Sequence, residues 1–137
     1  MAKKILIFVL ALMVLVGACA MMKVTRIDKE RVEDVEYKVL LEEEIPAEVF
    51  EEIERFKHES KQCSYICSDK LYIVVSYGRQ DAGGYSVEVN DLYESSNTIF
   101  VKTTLMGPKS KKDAKEDESY PYVVLKLSLS DKKVVFI

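Results

Sequence analysis

The cysteines come first, because a thiol at the right spacing can take a lipid, a metal, a disulfide or a substrate. Cys19 closes a segment that begins Met-Ala-Lys-Lys, continues as an apolar run from Ile5 to Val16, and ends Val16-Gly17-Ala18-Cys19. A short basic start, a hydrophobic core and small residues before a cysteine form the export leader of a lipoprotein. In such a leader the thiol becomes the lipid-modified N-terminus, carrying acyl chains such as palmitate. The apolar run is shorter than the roughly 20 residues a spanning helix needs. Ala18-Cys19-Ala20 is also an ordinary A-x-A cleavage site, and extending the apolar stretch through Met22 reaches the lower edge of spanning length. Plain secretion and an uncleaved membrane helix therefore stay open beside lipidation. All three readings put the rest of the chain on the outer side of the membrane, and lipidation holds it at the extracytoplasmic face of the cell membrane. A lipid anchor at Cys19 is the expectation carried forward.

Cys63 and Cys67 lie four residues apart. In a strand that separation is about 13 Å, against the roughly 4.4–6.8 Å a disulfide spans, so no bond between them is expected. Two thiols at this spacing also lack the further ligands of a metal site. His58 is the one histidine of the chain, so a Cys63–His58 pair is its sole nucleophile–base candidate. A histidine at a helix C-terminus is equally explained by the helix dipole. Carboxylates are plentiful but fall on an expected exposed helix face and in a charged loop, where they read as solvated surface. A phosphate-binding glycine loop and an H-E-x-x-H motif are both missing. The residues thus point away from an enzyme, and no metal, cofactor or small-molecule substrate is expected.

One segment stands apart: Tyr77-Gly78-Arg79-Gln80-Asp81-Ala82-Gly83-Gly84-Tyr85. Gly78 sits where an apolar strand must turn out, and Gly83-Gly84 allow positive φ and close approach of another backbone. Arg79 offers a charged fork, and Tyr85 a large amphipathic contact. These features read either as a hairpin connection or as a projecting loop that meets a protein partner. Gly78, Arg79, Asp81, Gly83, Gly84 and Tyr85 are the candidate binding residues. Alternation with Val87 and Val89 offers Tyr85 a rival place in the core.

The elements that would position this loop follow from periodicity. Residues 1–18 are the leader, with an expected signal-peptide helix. Residues 19–34 are a polar tether, and 35–137 a single domain, an ordinary size for one core. Val35, Tyr37, Val39 and Leu41 alternate as a strand. Pro46 suits the first position of a helix that runs to about His58, with Val49, Phe50, Ile53 and Phe56 on one face. Strands follow at 64–66, 71–77, 85–90, 99–105 and 123–129, the second a continuous apolar run expected at a sheet centre. Residues 107–120 read as a charged exposed loop. Val134 to Ile137 reads as a last strand, in a hairpin with its predecessor. The expected fold is β-rich α+β, with about six mostly antiparallel strands in a sheet or small sandwich and one amphipathic helix. The formal net charge is −3, and more negative once Lys3 and Lys4 leave with the leader, which argues against nucleic acid.

Tyr72-Ile-Val-Val-Ser-Tyr-Gly-Arg-Gln-Asp-Ala-Gly-Gly-Tyr-Ser-Val-Glu-Val89 resembles the signature of the PrcB C-terminal domain family. Pro121-Tyr122-Val123-Val124-Leu125-Lys126 resembles its second block, and Val134-Val135-Phe136 its closing strand. Asp81-Ala82 stands where the family usually has Pro-Thr. The resemblance, over about residues 70–137, implies a bacterial lipoprotein that binds and stabilises an exported protease complex. Gly84-Tyr85 is also weakly similar to a loop of chagasin-like cysteine-protease inhibitors, which are β-sandwiches. Inhibition, or an envelope role without a protease partner, are the alternatives.

Overall fold

The computed structural model describes residues 27–110 and 117–137. The expected leader, its helix and Cys19 lie outside the described residues.

The chain forms β1 (Glu33–Asp34), β2 (Lys38–Val39), α1 (Ala47–Phe56), β3 (Ser60–Cys67), β4 (Lys70–Tyr77), β5 (Ser86–Glu94), β6 (Thr98–Met106), β7 (Tyr122–Ser128) and β8 (Lys133–Phe136). Two four-stranded sheets have the orders β1-β5-β6-β8 and β2-β7-β4-β3. All pairings are antiparallel except β6 with β8. The expected β-rich α+β class with one helix is what forms. Eight strands, two of them only two residues long, stand among the described residues where about six were expected.

β4 explains the layering. Leu71, Ile73 and Val75, with Val123, Leu125 and Leu127 of the neighbouring β7, face the other sheet, where they meet Leu92, Ile99 and Val101. Tyr72 and Val74 point the opposite way, against Val49, Ile53 and Phe56 of α1. Both faces of β4 are therefore covered, which is why its sequence is apolar throughout rather than alternating. Burying each such side chain is worth about 1.5–3 kcal/mol. The molecule is thus three layers deep: sheet, sheet, helix.

Four expectations need correction. Residues 35–41 are not one strand. The segment crosses from sheet to sheet: the Val35 amide donates to Leu92 O at 3.1 Å in the first, and the Leu40 amide to Val124 O at 3.0 Å in the second. Val35 packs against the core between the sheets and Leu40 against the helix layer, while Tyr37, Val39 and Leu41 stay exposed. Pairing already begins within the stretch read as tether, where the Val32 amide donates to Glu94 O at 2.8 Å. Second, β8 does not form a hairpin with β7. That strand is flanked on both sides by β2 and β4, so β8 passes to the other sheet and lies parallel to β6. Third, β3 spans eight residues rather than three. A two-residue turn joins it to β4, with Ser68 and Asp69 both at positive φ, the turn that matches the natural twist of a hairpin. Fourth, Pro46 caps α1 from outside, at φ −56° and ψ 142°, rather than opening it.

Candidate functional site

Gly78 follows β4 at φ +75° and is buried. A Cβ there would lie 3.0 Å from Ser60 N, 3.1 Å from Glu59 C and 3.2 Å from His58 O. The loop therefore leaves the sheet pressed on the segment that joins α1 to β3, a path only glycine allows. The Arg79 amide donates to His58 O at 3.3 Å and fastens it there. Beneath, the Ser76 hydroxyl donates to Glu59 O at 3.0 Å.

The loop has a second support. Gln80 and Ser119 form an antiparallel bridge, N to O at 2.8 and 3.0 Å, and the Ser119 hydroxyl donates to Ala82 O at 2.6 Å. The Arg79 guanidinium pairs with Glu118, whose other oxygen accepts from the Tyr120 hydroxyl at 2.9 Å. That hydroxyl, and then Arg79, hold the Glu118 carboxyl below the usual glutamate range. Tyr120 meets the His58 ring edge-on at 4.6 Å between centroids, and Lys57 Nζ lies 5.5 Å from the Tyr120 centroid. Two crossing segments and the end of α1 thus make one platform.

The six sequence-derived loop residues divide on it. Gly78 and Gly83 are buried and build the backbone path. Arg79, Asp81 and Gly84 are exposed, with Gly84 at φ +84° and the Asp81 side chain 98% accessible. Arg79 reaches Asp81 at 4.0 Å. Tyr85 is half-buried, its ring beside the exposed Gly107. The sequence did not disclose Glu118, Ser119 and Tyr120. They follow a charged run without periodicity, and their one signal was Pro121 at the head of β7.

Reaction chemistry finds no support at the cysteines. Cys63 and Cys67, the cysteines among the described residues, are free thiols. Cys63 Sγ donates to the Tyr65 hydroxyl at 3.3 Å, and burial pushes the thiol up, away from the nucleophilic thiolate. His58 packs on Tyr120 instead. Among the described residues no three or more His, Cys, Asp or Glu groups are placed to hold a metal. A cleft of about 500 Å³ lies at the far end of the sandwich. Its Lys132 is paired with Glu94 at 3.0 Å, and Glu33 shares a hydrogen bond with Glu94 that pushes the Glu33 carboxyl up. These groups satisfy one another and do not converge on a substrate.

Fold and site together define a small β-sandwich domain that displays a backbone-braced loop. Residues 71–128 match the PrcB C-terminal family, the family that the segment around the loop resembles. The family's name is that of a protease-complex subunit, and it is not a known enzyme family. No curated protein and no solved structure gives a match.

Proposed function

We propose that this chain is a lipid-anchored, extracytoplasmic binding subunit for another protein, an exported protease, which it holds or stabilises without catalysing a reaction itself. The observation that carries the reading is the platform of residues 78–85. It is fixed from two sides by backbone bonds, yet leaves Arg79, Asp81 and Gly84 exposed. A loop held rigid before contact loses little entropy on binding. The family's name supports the protease as partner, and the leader at Cys19 supports the location. Inhibition is the weaker alternative, because an inserting loop needs Tyr85 to project and its ring lies beside Gly107.

The test uses Arg79→Ala and Asp81→Ala, two exposed positions that leave the glycines in place. Both variants should keep the wild-type thermal midpoint within a few degrees, as expected for surface changes. Co-purification of the protease from detergent-solubilised membranes should fall at least about tenfold, or roughly 1.4 kcal/mol. Wild-type recovery of the protease by both variants would remove the loop from the interface.

A further inference from the structure

β1 covers only Tyr93 and Glu94 of β5. Carbonyls of Leu92 and Glu94 face outward there, accepting from Val35 and Val32. An antiparallel ladder alternates inward and outward groups, and the register shift between Val89 and Asp91 offsets that alternation by one. Carried back through it, the outward backbone groups belong to Val87 and Val89. Among the described residues these have no partner, since β5 pairs at that end only with β6.

Beside this edge runs a groove of about 380 Å³, walled by Val39, Leu41, Ile45, Tyr85, Val87 and Val123. Val39 is 50% and Leu41 61% exposed, unusual for residues of their type beside a core. Glu42 is the one charged residue lining the groove. An adjoining hollow of about 470 Å³, floored by Ile45, Ala47 and Phe50, adds Glu43 and no cation. The surface thus offers alternating backbone donors and acceptors, an apolar trough and a carboxylate rim.

We infer that the edge of β5 from Ser86 to Val89 accepts an extended segment of the partner protein as an added strand, with apolar side chains at alternate positions in the groove and a lysine or arginine against Glu42 and Glu43. Only an extended backbone answers a row of outward N–H and C=O groups. The irregularity at Asn90 ends the usable edge, so the segment pairs over about four residues. This deepens the protein-binding reading and rests on it. The groove begins at Tyr85, where the braced loop ends, so loop and edge form one continuous surface.

The experiment uses the full chain in detergent and three eight-residue peptides. The first alternates valine and threonine and ends in two lysines. The second ends in two glutamates instead, and the third is the lysine peptide N-methylated at alternate residues. Amide hydrogen exchange is followed with and without each peptide. The lysine peptide should bind below about 1 mM and slow exchange of the Val87 and Val89 amides. The glutamate peptide should bind at least about fivefold more weakly, and the N-methylated one should lose the protection. Glu42→Lys with Glu43→Lys, both at exposed positions, should invert the charge preference. Absence of protection by any peptide at about 1 mM overturns the inference, as does protection at the open edge of β3 or β8 instead. Protection that rises with the chain's own concentration without peptide assigns the edge to a second copy and also overturns it. Any of these results beside intact protease co-purification leaves the binding reading standing without the edge.

Discussion

At the scale of single residues, Gly78 carries the largest structural demand in the candidate site. Its positive φ costs an L-residue about 1–2 kcal/mol, and a methyl group would press on three backbone atoms that have nowhere to go. Gly78→Ala should therefore destabilise the fold by about 2–4 kcal/mol in urea unfolding, whereas Arg79→Ala beside it should cost almost nothing. A Gly78→Ala protein as stable as wild type would mean that the loop does not rest on the end of α1. The glycine was legible because glycine has few reasons to follow a strand of β-branched residues. Its brace was not: Glu118 and Ser119 act through one ion pair and one backbone bridge, neither of which leaves a periodic trace. Tyr85 was ambiguous on the page for a physical reason, since its position serves both the strand alternation and the loop, and the structure leaves it half-buried.

The elements were read best where one face is dry. The spacing of Val49, Ile53 and Phe56 announced α1, and all three are buried against β4 and β7. Phe50 was grouped with them, but it looks sideways into the hollow beside Glu42 and is only half-buried. Ile53→Ala should accordingly cost about 2–4 kcal/mol of stability, and Phe50→Ala under about 1 kcal/mol, measured by chemical denaturation of both variants. Equal losses would show that the helix turns a different face to the sheet. Strands β4 to β7 were legible from alternation and β-branching. The pairing of β8 was not, because periodicity says which face of a strand is buried and nothing about which neighbour it joins. The same limit hid the crossing between β1 and β2. Four alternating apolar residues look like one strand, although only Val35 of that set packs against the core between the sheets.

For the molecule as a whole, the prediction concerns its attachment. Cys19 fits the lipidated position of the expected leader, and one acyl chain alone binds membranes only marginally. The native protein should carry a diacylglyceryl adduct at Cys19 in intact-mass analysis, and Cys19→Ser should move it from the membrane to the soluble fraction. A wild-type chain with an unmodified Cys19 would refute the anchor. The described domain gives that anchor a direction. The Asp28 amide donates to Asn97 Oδ1 at 2.9 Å and its carboxylate accepts from the Ser96 hydroxyl at 2.6 Å, so the N-terminal stretch joins the domain at the turn after β5. The loop of residues 78–85 sits before the first residue of that same strand. Nine residues of strand put the two roughly 30 Å apart. Fully stretched, the chain from Cys19 to Asp28 reaches at most about 30 Å more. A chain moored at Cys19 would thus carry its loop like a hook on a short line, the reach set by the two lengths together. Partners up to some tens of ångströms above the lipid headgroups would come within its reach, inside a fixed radius of each mooring point.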